Sequence, residues 1–217
     1  MSRRSILAAA VGHVRDPLNS QSHALIAGNL AAGALSFAFW AIAARLSGPI
    51  DVGLASASVS TARLVGSFAN LGLGIAVIRV LKQADTPVVL INSVGLVVAV
   101  VSLGMAVTVR VLLAEADAEL STLAGTADWS IGFVLLAVNA AVFPLVASVL
   151  LALGQSFRIV LVQLLLEGMK ALALIVWFSV LLSATGIVFA AACGTALAVT
   201  PFLSRLITRL SAREAGW

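Results

Sequence analysis

This chain of 217 residues has little charge, one cysteine, two histidines and no tyrosine. Only 10% of its residues are charged, whereas a soluble domain averages about a quarter, so an ordinary soluble fold is excluded. The single cysteine, Cys193, excludes an intrachain disulfide. His13 and His23 are too isolated for a metal site, which needs three or four converging ligands. With 61% hydrophobic residues, the composition predicts an integral membrane protein.

Catalytic signatures are also missing. The sequence has no G-x-S-x-G, H-E-x-x-H or P-loop motif, and no pair of membrane aspartates flanked by glycine. We therefore expect no enzymatic activity and no cofactor, and any transport is expected to be a secondary process rather than an ATP-driven one. The net charge of +4 does not indicate nucleic-acid binding, because the cations are scattered between apolar blocks without interleaved aromatic residues.

Long apolar runs make up most of the chain. A membrane-spanning helix needs about 20 mostly apolar residues, and six segments meet that requirement: 23–44, 53–71, 88–109, 129–152, 159–181 and 185–204. The last two are separated by a short turn near Ser183, so we expect them to form a tight helical hairpin. The prediction is an all-α membrane protein whose six transmembrane helices form one bundle over residues 23–204.

The charges of the loops predict the orientation of these spans. Nine of the thirteen Lys and Arg residues fall on one side of the expected membrane: Arg3, Arg4, Arg15, Arg79, Lys82, Arg158, Arg205, Arg209 and Arg213. The other side receives Arg45, Arg110 and the acidic loop at 110–128. Because cytoplasmic loops carry the excess of Lys and Arg, both termini are expected in the cytoplasm. Residues 1–22 are expected to lie on the membrane surface as an amphipathic segment, and residues 205–217 to form a basic tail.

Two further patterns concern packing and anchoring. Small residues recur at fourfold spacing in Ala27-Ala31 and in Gly186-Ala190-Gly194. Such spacing lets helix backbones approach closely in lipid, so we expect these residues at helix contacts. Three tryptophans stand at positions typical of anchors at the membrane interface, namely Trp40, Trp129 and Trp177.

The stretch from residue 44 to residue 79 carries the sequence motifs of a known family. Its residues are Ala44-Arg45-Leu46-Ser47-Gly48-Pro49, then Gly53, and later Gly72-Leu73, Ala76 and Arg79. Gly154 and Arg158 stand at matching places in the turn between the fourth and fifth spans. In these motifs the chain resembles the N-terminal lobe of polysaccharide flippases, a family of the multidrug/oligosaccharidyl-lipid/polysaccharide exporter superfamily.

The resemblance implies a role in polysaccharide biosynthesis at the bacterial inner membrane. Such flippases move an undecaprenyl-pyrophosphate-linked oligosaccharide between leaflets, and two six-helix lobes rock to expose the cavity between them alternately. Six spans correspond to one lobe, so the expected partners are membrane lipid and either a second six-helix lobe or a second copy of this chain. The alternatives are a non-transporting scaffold subunit and an inactive truncated flippase. A small ion or drug exporter would need more acidic residues in its spans than Glu167 alone.

Arg63 is the leading candidate for substrate binding. It lies about ten residues from either end of its predicted span, where its guanidinium cannot easily reach the membrane interface. A planar cation with five donors suits the oxygens of a pyrophosphate in a water-filled cavity. The structural alternative is an arginine bonded to backbone carbonyls or to a buried acid, for which Glu167 is a possible partner.

Glu167 and Lys170 form the second candidate, because residues three apart share one helix face. Mutual neutralisation within the membrane is one interpretation. The other is that Glu167 takes up a coupling ion, a proton or sodium, and that Lys170 assists Arg63 with the lipid pyrophosphate. Asn70, Asn139 and Gln163 are further candidates, for contacts with sugar hydroxyls, although hydrogen bonding between helices explains them equally well.

Overall fold

A computed structural model of the protein describes residues 17–116, 125–178 and 183–214. These residues form seven helices, which we number α1 Pro17–Leu46, α2 Pro49–Asn70, α3 Leu73–Val80, α4 Pro87–Ala116, α5 Ala127–Ala152, α6 Ser156–Phe178 and α7 Ala184–Glu214. The all-helical prediction is confirmed for this part of the chain. Most of the expected surface segment at 1–22, the middle of the acidic loop and the side chain of Trp177 lie outside the described residues.

The six predicted membrane spans are confirmed only in part. By length and composition, four helical stretches of the described residues are able to cross a membrane: Ser22–Leu46, Pro87–Glu115, Ala127–Ala152 and Ser156–Val176. The bent pair α2 and α3 supplies a fifth if it counts as one span, and the apolar part of α7, Ala184–Ala198, is shorter. The helices are therefore those of a multi-pass membrane protein, while the count of six is not confirmed.

The boundary between α2 and α3 lies at the end of the predicted span 53–71, and α3 is an additional helix beyond it. Leu71 and Gly72 have positive φ angles of 39° and 77°, and the chain bends by 43° into α3. A positive φ is unusual for leucine, and the neighbouring glycine adopts it at no steric cost. Asn70 holds the break in place, because its Oδ1 accepts a hydrogen bond from the backbone N–H of Gly74 at 3.1 Å.

The two central helices are α5 and α7, and α5 packs against α2, α3, α4, α6 and α7. α7 lies against α5 and α6, while α1 packs on α6. Since α1 and α2 make few contacts with each other, a gap remains between them. α4 packs against α5 and α2, and it exposes Leu96, Val100 and Leu112 on its other face. A continuous apolar face of this kind is typical of a helix surrounded by lipid.

Glycines mark the places where helix backbones approach most closely. Five of them lie tightly against a residue of a neighbouring helix: Gly28 against Val160, Gly66 against Ala140, Gly74 against Ser148, Gly132 against Phe189 and Gly194 against Lys170. The predicted contact at Gly194 is thus confirmed. The contact predicted for Ala27 and Ala31 is wrong by one residue, because both are exposed while Gly28 and Ala32 are buried. A uniformly apolar helix does not reveal from its sequence which small residues face a neighbour.

Trp129 is buried in the protein interior at the end of the bundle where α5 and α7 begin, and its predicted place at the depth of the membrane interface stays a prediction. It is 1% exposed, and its ring stacks on Phe133 with centroids 5.0 Å apart. Its Nε1–H donates a hydrogen bond to Ser58 Oγ at 3.1 Å. At the same end, Asp51 Oδ1 accepts a hydrogen bond from the backbone N–H of Ala184 at 3.1 Å, and this satisfies one free donor at the start of α7.

We expect Gly66→Ala to destabilise the protein, because the added Cβ would lie 2.7 Å from the backbone of Ala140. Overpacking of this kind costs about 1–3 kcal/mol, and it should lower the unfolding temperature measured in detergent. The matched control is Gly104→Ala on α4, where a Cβ meets nothing within 4 Å and alanine is the better helix former. Equal unfolding temperatures for the two variants would contradict the contact between α2 and α5.

Candidate functional site

The gap between α1 and α2 leads into a cavity of about 450 Å³. α1, α2, α5, α6 and α7 all contribute side chains to it. Five of the six polar residues predicted from the sequence line this one cavity: Arg63, Asn139, Gln163, Glu167 and Lys170. The bundle therefore brings together side chains that are more than 100 positions apart in the sequence.

The cavity contains a layer of polar side chains at one height along the helix axes. The contacts of Gly28, Gly66, Gly132 and Gly194 show which residues of neighbouring helices lie at the same height. From those points, each residue along a helix rises about 1.5 Å. Six lining residues then fall within about one helical turn, or ~5 Å, of one another: Ser36, Arg63, Asn139, Glu167, Lys170 and Thr195. We refer to these six residues as the polar layer.

Glu167 and Lys170 form a buried ion pair within the polar layer. Lys170 Nζ lies 2.6 Å from Glu167 Oε1, and the two side chains are 13% and 8% exposed for Glu167 and Lys170 respectively. The other carboxylate oxygen, Glu167 Oε2, is buried and has no hydrogen-bond partner among the described residues. The predicted pairing within one helix face is therefore present, and the alternative pair between Glu167 and Arg63 is not.

Arg63 is the other cation of the layer. It is exposed on the cavity side of α2, and its positive charge is close enough to act on Lys170. Within the described part of the chain its guanidinium has no salt bridge or hydrogen bond. With two cations and one carboxylate, the polar layer has a formal charge of +1. Arg63 is thus available to a ligand, whereas Lys170 is already held.

The two ends of the cavity differ in chemistry. Beyond the polar layer, toward the end of the bundle that contains Trp129, the lining is aromatic and apolar, with Phe39, Trp40 and Val59. In the other direction the side-chain amides of Asn29 and Gln163 stand among the apolar side chains of Phe143 and Leu166. Neither amide forms a hydrogen bond with the described residues, so both are open to a polar ligand.

Asn70 lies outside the cavity, unlike the other predicted residues. Its Nδ2 donates a hydrogen bond to the carbonyl of Ala141 at 3.2 Å, and its Oδ1 accepts from Gly74. Both ends of the amide are therefore occupied by backbone groups. Asn70 ties the end of α2 to α5 and does not contact a ligand in the cavity.

Several lining residues are absent from the sequence-based set. They are Asn29, Ser36, Trp40, Ser67 and Thr195. A helical spacing signal was present, because Asn29 and Ser36 are seven residues apart and Arg63 and Ser67 are four apart. Such spacings place residues on one helix face, so polar residues at these intervals within apolar runs identify the cavity side of each helix.

The chain matches no protein-family model, and no curated protein or solved structure is significantly similar to it. The kind of ligand that the protein binds is therefore inferred from the side chains that line the cavity. In the described residues no group of three or more His, Cys, Asp or Glu is placed to hold a metal ion. A cavity with an unpaired arginine, a second cation and open amides has the donors needed to bind a polar anion.

We expect Lys170→Met to destabilise the protein, because it leaves the Glu167 carboxylate buried without its partner. Breaking a fully buried pair costs about 3–5 kcal/mol, so a clear fall in the unfolding temperature at neutral pH should result. The double variant Glu167→Gln with Lys170→Met removes both charges and should recover much of the loss. If the double variant is no more stable than the single one, the two side chains do not depend on each other.

Proposed function

We propose that this protein is half of a membrane flippase that binds the pyrophosphate of a lipid-linked oligosaccharide in the cavity described above. The observation that carries the proposal is Arg63, an intramembrane cation that lines a cavity without a partner in the described residues. The whole assembly moves the lipid-linked oligosaccharide from one leaflet to the other in polysaccharide biosynthesis, without ATP hydrolysis by this chain. The resemblance of residues 44–79 to polysaccharide flippases points in the same direction.

A charged side chain inside a membrane is energetically costly. An arginine in a span is retained where it faces water, a counter-charge or a substrate. Glu167 is engaged by Lys170 at 2.6 Å, and among the described residues no other carboxylate lines the cavity to neutralise Arg63. An anionic ligand supplies the missing charge. Pyrophosphate fits this role because its oxygens accept the parallel hydrogen bonds that a guanidinium donates.

The open side of the cavity suggests how the half-assembly is completed. α1 and α2 contact each other little, and Arg63 and Ser67 are exposed between them. Exposed polar side chains at this depth need a cover other than lipid. A second six-helix lobe or a second copy of this chain, facing the gap, encloses the cavity and leaves room for a sugar headgroup while the lipid tail remains in the bilayer.

In this proposal the chain crosses the bacterial inner membrane six times, with both termini in the cytoplasm. α2 and α3 form one bent span, and α7 supplies the sixth. Arg79, Lys82 and Arg158 then face the cytoplasmic headgroups. The turn at Ser47 and the start of α7 lie on the opposite side.

The first alternative is a scaffold subunit or an inactive truncated flippase, neither of which transports. In that case the cavity residues contribute only to packing. A triple variant that replaces Glu167, Lys170 and Arg63 then leaves every activity of the assembly unchanged. Export of the polysaccharide in cells that carry these variants separates the two possibilities. A loss of export with the protein still present in the membrane supports the flippase.

We expect Arg63→Ala to weaken binding of undecaprenyl pyrophosphate to the purified protein in lipid nanodiscs by about 10- to 100-fold. This range corresponds to the loss of charge-assisted hydrogen bonds worth about 1.5–3 kcal/mol. Arg63→Lys keeps the charge but loses the bidentate geometry of the guanidinium, so its affinity should lie between those of Arg63→Ala and the native protein. The control is Arg45→Ala, which removes an exposed arginine at the end of α1.

Two results would contradict the proposed site. One is unchanged binding in Arg63→Ala. The other is an equal loss in Arg45→Ala, which would point to nonspecific attraction between cations and the lipid. Elution of each variant as the native oligomer in size-exclusion chromatography shows that the fold is retained.

For the orientation, we expect cysteines introduced at Ser47 and Gln83 to differ in accessibility after Cys193→Ala removes the native thiol. In intact spheroplasts a membrane-impermeant maleimide should label Ser47→Cys and spare Gln83→Cys, because the positively charged loops stay inside. Both should react once the membrane is permeabilised. The reverse labelling pattern would invert the proposed topology.

A further inference from the structure

Trp40 lines the cavity beside the polar layer. It is half-buried on α1, and its ring is held edge-to-face against Phe39, with centroids 5.2 Å apart and an interplanar angle of 81°. Phe39 itself is only 3% exposed, so it provides a fixed support. Packing of this kind limits the orientations that the indole ring can adopt in the cavity.

The comparison with Trp129 shows what is unusual about Trp40. The indole N–H of Trp129 is used within the bundle, where it donates to Ser58, and the ring is almost fully buried. The indole N–H of Trp40 makes no hydrogen bond with any described residue. Because a buried tryptophan N–H normally finds a partner, the open donor at Trp40 is available to a ligand in the cavity.

The height of Trp40 places it next to the cations. From the contacts of Gly28 with Val160 and of Gly194 with Lys170, Trp40 lies about two residues, or ~3 Å, beyond Lys170 along the bundle. A group bound beside Trp40 is thus adjacent to an anion held by Arg63. In a lipid-linked oligosaccharide, the group attached directly to the pyrophosphate is the first sugar.

We propose that Trp40 is the binding platform for the first sugar ring of the lipid-linked oligosaccharide, an inference that rests on the proposed function. One face of a pyranose ring presents C–H groups with slight positive charge. The face of an indole ring carries negative π density, so the two surfaces attract each other while the sugar hydroxyls project sideways. The free indole N–H donates to one of these hydroxyls. Arg63 binds the pyrophosphate, and Trp40 binds the first sugar that is attached to it.

The test compares two lipids on each variant of the full chain in nanodiscs. One lipid is undecaprenyl pyrophosphate, and the other is undecaprenyl pyrophosphate carrying a single N-acetylhexosamine. The measured quantity is the ratio of their Kd values, which cancels any fraction of protein that fails to fold. We expect the native protein to prefer the sugar-bearing lipid, Trp40→Leu to reduce this preference about two- to tenfold, and Trp40→Phe to retain most of it.

Two further variants make the result specific. Phe37→Leu removes an aromatic ring from α1 that is 76% exposed and does not line the cavity, and it should leave the ratio unchanged. Arg63→Ala should weaken binding of both lipids by a similar factor and also leave the ratio unchanged. An effect confined to Trp40 variants supports a sugar platform rather than a general disturbance of α1.

The outcomes separate this inference from the proposed function. If the native protein binds both lipids but Trp40→Leu keeps the full preference for the sugar, or if no preference exists, the platform is overturned while the pyrophosphate site stands. If the native protein binds neither lipid, the proposed function and the platform fall together. A normal ratio in Trp40→Phe with a reduced ratio in Trp40→Leu identifies the aromatic face as the group that matters.

Discussion

Close contact between helix backbones is the constraint on which the rest of this bundle depends. Within a membrane no hydrophobic effect drives one apolar helix against another, so packing at small residues has to hold them together. Gly194 illustrates the consequence, because it lies directly against the backbone of Lys170. The contact that joins α7 to α6 therefore also fixes the height of the ion pair. A slip by one helical turn, about 5 Å, would separate Lys170 from the rest of the polar layer.

Among the described residues, the polar layer contains one paired cation, Lys170, and one unpaired cation, Arg63. Glu167 holds Lys170 at 2.6 Å in a largely buried position, so this cation is preorganised and its charge is partly offset. Arg63 stands exposed on a different helix without such a partner in the described residues. A low-dielectric environment strengthens the attraction of such a layer for anions. The amides and hydroxyls beside these charges solvate them without adding further charge.

The sequence predicted the all-helical fold, the three charged residues of the cavity and two of its amides, because charged and amide side chains are rare in apolar spans and are easily recognised there. It did not predict the place of Asn70, since the break at Leu71 and Gly72 is a matter of backbone conformation that the apolar pattern does not reveal. It assigned Trp40 to the membrane interface because tryptophan is common there. Which face of α1 packs on α6 also escaped prediction, because α1 is largely apolar. The contact of Gly28 with Val160 marks the packed face, while Asn29 and Ser36 mark the cavity side.

The hydrogen bond between Asp51 and Ala184 has a consequence for how the protein is made. Its two ends are 133 residues apart, so at a synthesis rate of ~5–20 residues per second the carboxylate of Asp51 waits roughly 7 to 27 s for its partner. During that interval α2 has been synthesised, but the residue of α7 that Asp51 contacts has not. The bundle is therefore sealed at this end only after the start of α7 has been synthesised, and ribosome-bound chains that stop before residue 184 display Asp51 uncovered.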